Sequence, residues 1–177
     1  MPRKKEFDEE EVLKKAMTLF WTKGYYNTSI KDLIDFLGIS NASIYNTFGG
    51  KKQLFDRALE YYRVVNYAGM SNFIRSQKDV RKGLIMVFEK IIHEDREDED
   101  CKGCFVVNTT TELIPADQEI QKALDSYRLK IEKVFYDFLL MGVENGQIAK
   151  AKNIQVISRF LYTLMTGLRV VGKSKPP

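Results

Sequence analysis

Few side chains in this sequence are suited to chemistry, and they gather in two places. Asn41, Ser43, Tyr45, Asn46 and Thr47 crowd hydroxyls and amides into one short segment, and Lys51 follows four residues later. Such groups suit hydrogen bonding to phosphates and base edges more than bond-making. The second place is Cys101-Lys102-Gly103-Cys104, two thiols with a lysine between them. Against enzymatic chemistry, His93 is the one histidine and residue 90 is Lys, so no Glu-x-x-His pair exists for a di-metal bundle. Zinc would need two ligands beyond the thiols, and no Gly-rich phosphate loop or nucleophile elbow is present. No catalytic residue, metal site or cofactor is expected.

The elements that must hold the first cluster are legible around it. Thr28 or Ser29 can cap a helix, and Ser29-x-x-Asp32 has capping-box spacing. Ile30, Leu33, Ile34 and Leu37 recur at helical steps, and Gly38 supplies the backbone freedom that ends the helix. Ser40 or Asn41 can cap a second short helix, Ala42 to Thr47, tied inward by Ile44 and Phe48. Helix, glycine turn and helix make the helix-turn-helix, whose second helix enters the DNA major groove. Short helices joined by a glycine turn occur in any helical protein; the flanking hydroxyls and lysines are what favour DNA.

Composition sets the outer bounds. The chain has 177 residues, 44% hydrophobic and 29% charged, as in a soluble globular protein. A net charge of +4 does not by itself mark a nucleic-acid binder, but its distribution is uneven. Arg3, Lys4 and Lys5 form a basic arm, whereas Glu94 to Asp100 carries six acids and one arginine. That acidic run reads as a solvated loop or helix end. No apolar run approaches the ~18 residues of a membrane span, the N-terminus is charged, and two cysteines do not make a disulfide scaffold. A cytoplasmic location is expected.

The rest reads as helix throughout. Asp8-x-x-Glu11 opens a first helix to about Lys23, stopped by Gly24. A fourth runs from near Lys51 to Phe73, and a fifth carries Val80, Leu84, Val87, Phe88 and Ile91. A short helix from Cys104 to Leu113 is closed by Pro115, and Asp117 caps a long helix to Asn145, about 40 Å in length. The last runs from Asn153 to Val171. Ile120, Leu124, Tyr127, Ile131, Val134, Phe138 and Met141 stripe the long helix, and Val156, Ile157, Phe160, Leu161, Leu164, Met165 and Leu168 cover most of the last. So much apolar surface is either deep core or shared with a partner. A homodimer through Ile120–Asn145 and Asn153–Val171 is expected, with intrachain core the plainer alternative.

Ala16, Phe20, Gly24-Tyr25, Thr28-Ser29-Ile30, Ile34, Gly38-Ile39-Ser40, Ser43-Ile44-Tyr45, Phe48, Lys51 and Leu54-Phe55 together resemble the TetR (tetracycline-repressor-like) family of bacterial transcriptional regulators. Gly103 to Thr109 with Glu112-Leu113, and Gly167-Leu168-Arg169-Val170, resemble stretches of that family's helical body. The resemblance implies an all-α protein: a three-helix DNA-binding head over residues 1–50 and a helical ligand-binding and dimerisation body over 51–177. It further implies a ligand-responsive repressor bound as a dimer to a palindromic operator in double-stranded DNA.

On that resemblance, Asn41, Ala42, Ser43, Asn46 and Thr47 face the bases. Asparagine suits adenine, and Ala42 or the Thr47 methyl suits a thymine methyl, so an A·T-leaning half-site is expected. Thr28, Tyr45 and Lys51 are expected near the phosphates, Ser29 is expected among the DNA-binding residues, and Arg3, Lys4 and Lys5 are expected to follow the backbone or reach the minor groove. The body is expected to hold an unknown small-molecule inducer among Tyr62, Asn66, Phe73, Met86, Phe105, Asn108, Thr109, Glu112, Tyr162 and Met165, although aromatics and methionines at helical spacing equally describe plain core. An alternative signal is thiol oxidation or alkylation at Cys101 and Cys104. A helix N-terminus and Lys102 favour thiolate there, and the acidic run opposes it. A helical adaptor without a DNA role is the remaining class, opposed by Tyr45-x-x-Phe48-x-x-Lys51. Members of the family usually continue past the Gly-Leu-Arg-Val segment, so the chain is expected to be a short or truncated member.

Overall fold

The computed structural model describes residues 7–174, and these form helices with no strand among them. In order they are α1 (Glu9–Lys23), α2 (Ile30–Leu37), α3 (Asn41–Phe48), α4 (Lys51–Arg75), α5 (Val80–Glu97), α6 (Phe105–Leu113), α7 (Gln118–Glu144) and α8 (Ile154–Gly172). Arg3, Lys4 and Lys5 lie outside the described residues. The chain divides into two compact units between Val64 and Val65, inside α4.

The first unit follows from its caps and its apolar spacing. Asp8 caps α1 by accepting from the Glu10 N–H. Ser29 and Asp32 form the full capping box on α2, and Ser40 accepts from the Ser43 N–H to start α3. Gly38 and Gly49 end α2 and α3 in left-handed geometry, with φ of 70° and 91°. Leu33, Ile44, Leu54 and Phe55 meet at the centre, all fully buried. Phe55 packs edge-on against Phe20 at 5.1 Å and against Tyr25 at 4.9 Å. Residue 50, the expected boundary, is therefore only the start of α4: its first turns supply core to the head, which the spacing of a single amphipathic helix does not disclose.

The second unit is organised on α7, which buries Ile120, Leu124, Tyr127, Ile131, Val134, Phe135 and Phe138 against α5, α6 and α8 of the same chain. The α7 stripe is intrachain core, a correction to the expectation that it is left for a partner. Two glycines permit the close approach of α5 and α7. A Cβ on Gly83 would lie 2.6 Å from Phe138 Cζ, and one on Gly142 would lie 2.7 Å from Val80 Cγ2. On α8 the balance reverses. Ser158 and Leu161 are buried, while Val156, Phe160, Leu164, Val170 and Val171 are exposed.

The acidic run is not simply solvated. Its first residues complete α5, where Asp95 is buried and accepts from Arg169 Nη1 of α8 at 2.6 Å. Arg169 Nη2 donates to Glu94 at 2.5 Å. Farther along, the Asp98 carboxylate accepts from the Gly103 N–H at 3.2 Å and pairs with Lys102 Nζ at 2.7 Å. Asn108 ties the loop off, donating to the Lys102 carbonyl at 2.8 Å and accepting from Lys173 Nζ at 3.1 Å.

Candidate nucleic-acid interface and cavity of the second unit

The outward side of α3 is built by exclusion. Ile44 and Phe48 are buried, four residues apart on one face, so Asn41, Ala42, Tyr45 and Asn46 are exposed on the other. Ser43 and Thr47 are half-buried, and the Ser43 hydroxyl lies 2.9 Å from that of Ser40. The helix end is braced from α4. Arg57 donates to the Thr47 carbonyl at 3.4 Å, lies over the Phe48 ring at 4.8 Å and pairs with Glu9 of α1 at 3.6 Å. A cation at the carboxyl end of α3 also complements its dipole.

Beside that face, Lys51 opens α4 with its ammonium 4.3 Å from the centre of the Tyr25 ring. Gly50, at φ 117°, leaves room for the Tyr45 ring; a Cβ there would come within 3.2 Å of it. The turn before α2 is fixed by Lys23, which donates to Asp32 at 2.7 Å. That bond, with those from the Ser29 hydroxyl and backbone, holds the Asp32 carboxyl well below the usual carboxylate range.

Thr28 departs from expectation. It is fully buried and its hydroxyl donates to the Gly24 carbonyl at 2.6 Å, so it closes the α1–α2 turn instead of facing a phosphate. Ser29 is exposed, but its hydroxyl is engaged with Asp32 at 2.6 Å.

In the second unit a cavity of about 160 Å³ lies between α4, α5 and α8. Asn66, Gly69, Met70 and Phe73 line it from α4, Val87, Lys90, Ile91 and Glu94 from α5, Met165 and Arg169 from α8, and Cys104 from the loop before α6. Of the expected ligand residues, Asn66, Phe73 and Met165 are therefore brought together. The others are placed elsewhere for identifiable reasons. Tyr62 belongs to the first unit, edge-on to Trp21 at 5.0 Å. Phe105 and Thr109 are core, the Thr109 hydroxyl donating to the Phe105 carbonyl at 2.8 Å. Met86 is exposed on α5, Asn108 clamps the loop, and Glu112 is not among the cavity's residues. Tyr162 also stands outside the lining; burial pushes its hydroxyl up, with Cys104 and Glu132 adding to the shift.

Lys90 and Glu94 had no marker in sequence beyond standing one helical turn after Val87 and Ile91. Arg169 was visible in the Gly-Leu-Arg-Val segment, without a role. Its guanidinium illustrates the electrostatics of this wall: burial alone would lower it, but Glu94 and Asp95 outweigh that and hold it above its ordinary value. Cys101 and Cys104 are thiols, both half-buried, and Cys101 has a positive φ of 52°. Lys102 between them is engaged with carboxylates. Its ammonium is held by Asp98 at 2.7 Å and Asp100 at 3.0 Å, which raise it further.

A capped helix-turn-helix with a polar, exposed second helix, joined to a separate helical bundle with a cavity between its helices, defines a regulator of the helix-turn-helix type. The model for bacterial regulatory proteins of the tetR family matches residues 12–58. The uncharacterized HTH-type transcriptional regulator YezE of Bacillus subtilis is 30% identical over 174 residues, spanning 98% of this chain and 90% of that protein. The HTH-type transcriptional repressor ComR of Escherichia coli is 29% identical over 97% of this chain and 82% of its own length. Among solved structures, a cysteine mutant of the TetR family regulator CifR, complexed with 26-base-pair double-strand operator DNA, superimposes with a TM-score of 0.89. It is 26% identical and is matched over 99% of this chain and 92% of CifR. The chain belongs to the tetR family of bacterial regulatory proteins and is an HTH-type transcriptional regulator. No described helix is long and apolar enough to cross a membrane.

Proposed function

We propose that the protein represses transcription by binding operator DNA as a homodimer and is released by a small molecule held in the cavity of its second unit. The observation that carries the DNA reading is the division of α3, with Ile44 and Phe48 buried and Asn41, Ala42, Tyr45 and Asn46 exposed beside Lys51. Asn41 and Asn46 can each make two bonds to adenine, Ala42 can meet a thymine methyl, and Tyr45 and Lys51 suit phosphate oxygens. The CifR complex with operator DNA supports this use of the head. The apolar residues exposed on α8, with Leu129 on α7, support dimerisation through α8 more than through α7. A two-fold pair would set its recognition helices about 34–36 Å apart, one turn of DNA, and a ligand that alters that spacing releases the operator.

Fluorescence anisotropy with the DNA immediately upstream of the protein's own gene tests this. Specific binding that resists unrelated competitor DNA and weakens steeply with salt is expected. Binding equal on all sequences, or none at low salt with that DNA or with selected random duplexes, sinks the reading. One observation favours a second signal: Cys104 lines the cavity. Loss of binding after treatment with a thiol-reactive electrophile, resisted by Cys104→Ser, would establish it; a treated protein that still binds would dismiss it.

A further inference from the structure

The cavity's polar groups differ in what they can still accept or donate. Asn66 already accepts from the Tyr127 hydroxyl on its amide oxygen, at 2.8 Å, which leaves its amide N–H groups as donors. Lys90 carries an ammonium 5.2 Å from the centre of the Phe73 ring, and its nearest carboxylate, Glu94, stands at 3.9 Å, beyond hydrogen-bond distance. Arg169 is fixed, because Asp95 is buried behind it. Among the described residues the one carboxylate lining the cavity is Glu94, already held by Arg169 and close to half exposed at 45%. Charges of both signs are present, but the immobile one is a cation and the anion can swing into solvent. Between these groups the walls are apolar: Met70, Phe73, Val87, Ile91 and Met165.

We propose that the cavity takes a small aromatic or branched carboxylate, its apolar body against Phe73 and the methionines and its anionic head displacing Glu94 toward Lys90 and Arg169. This rests on the reading of the second unit as the ligand-binding body. Size sets the class further. The cavity of about 160 Å³ is comparable to the roughly 150 Å³ that accommodates benzene in another protein, so one ring or its branched equivalent fits. A cation would have to expel Lys90 and then face Arg169, which Asp95 keeps in place. A neutral isostere would fill the same space and leave the donors without a charged acceptor.

The test compares benzoate, benzamide and benzylammonium on the full chain by calorimetric titration. Wild type, Lys90→Met and Gly69→Leu are compared. Lys90 is half exposed, so methionine keeps its stem without disturbing the core. Gly69 has no atom within 4 Å of an added Cβ, so leucine there enters the cavity without a backbone clash. Benzoate should bind at least about tenfold more tightly than benzamide, the worth of one charge-assisted hydrogen bond. Lys90→Met should abolish that preference, and Gly69→Leu should abolish binding of both. Equal or tighter binding of benzamide or benzylammonium overturns the carboxylate class. If Gly69→Leu blocks that binding too, the cavity remains a ligand site of different chemistry. Binding of none of the three overturns the proposal, and operator binding by the unliganded protein, measured alongside, tests the regulator reading separately.

Discussion

Arg169→Met should be among the most damaging single changes in the second unit, and the reason is Asp95 rather than the arginine. The Asp95 side chain is 8% exposed and that of Arg169 15%, so this ion pair is desolvated; Glu94, at 45%, is not. Removing the guanidinium leaves a buried carboxylate with no counter-charge, which costs about 3–5 kcal/mol. Glu94→Gln removes only a half-solvated pair and should cost about 0–1 kcal/mol. Asp95→Asn leaves Arg169 paired to Glu94 and should cost about 1–3 kcal/mol. The double change Arg169→Met with Asp95→Asn takes both charges out of the interior, so it should be less damaging than Arg169→Met alone. The coupling between the two sites should then be about 2 kcal/mol or more. At this chain length Arg169→Met would lower Tm by about 6–20 °C. Calorimetry or far-ultraviolet dichroism is the suitable readout, because the one tryptophan, Trp21, lies in the first unit and would not report on α5 or α8. Effects that add to within about 0.5 kcal/mol, or a Glu94→Gln variant as unstable as Asp95→Asn, would refute the reasoning.

Four further outcomes are expected. Gly142→Ala should destabilise by about 1–3 kcal/mol, since overpacking against Val80 outweighs alanine's helix preference of about 1 kcal/mol; denaturant unfolding at or above wild-type stability would contradict the close approach of α5 and α7. Lys51→Ala should weaken binding to all duplexes alike and reduce the salt slope by about one. Thr28→Val should lower Tm while leaving that slope unchanged, so a Thr28→Val protein with a reduced slope would restore the phosphate contact assigned to it from sequence. The Asp98 carboxyl lies below its ordinary value: burial alone would raise it, but Lys102 and the backbone N–H groups of Gly103 and Lys102 prevail. Its folded-state value is depressed, so its stabilisation is complete above the unfolded carboxylate range near pH 4 and is lost as pH falls through the lower folded value. Asp98→Asn should therefore destabilise at pH 7 and converge with wild type in acid; a pH-independent difference would refute the assignment.

The head was legible because local rules act there without competition. Ser29, Asp32, Gly38 and Ser40 set helix starts and stops through contacts no more than four residues apart, and the structure places each as its type suggests. Thr28 was misjudged for the complementary reason. Its hydroxyl bond to Gly24 is also local, but whether a threonine faces solvent or closes a turn depends on the tertiary packing that buries it, not on its neighbours in sequence. In the second unit the helices were readable from periodicity and their partners were not. The α7 stripe of Ile120 to Phe138 looks the same whether another chain or the same chain covers it, and here α5, α6 and α8 do so. The cavity is assembled from four separate stretches, and Lys90, Glu94 and Arg169 converge only through the α5–α8 packing that Asp95 anchors.

Magnitudes divide the labour within that cavity. Moving a two-state protein from 1:99 to 99:1 takes about 5.5 kcal/mol of differential ligand affinity, or roughly 2.7 kcal/mol at each of two sites in a dimer. Exchanging Glu94 for a ligand carboxylate at Arg169 replaces one half-exposed ion pair with another, a difference of about 0–1 kcal/mol. On the proposed reading the charged head would therefore select the ligand without supplying the switch. An apolar ring of six carbons buried among Met70, Phe73, Ile91 and Met165 gains up to about 4–5 kcal/mol at 0.8 kcal/mol per carbon. If that burial is complete in only one arrangement of α4, α5 and α8, the switching free energy comes from apolar fit. Asp95 then has a distinct part, since it keeps Arg169 of α8 tied to α5 when Glu94 is displaced. The carboxyl end of α8 can shift about that fixed point without detaching, and the exposed apolar residues of the same helix, Val156, Phe160 and Leu164, would carry the shift to whatever surface they meet.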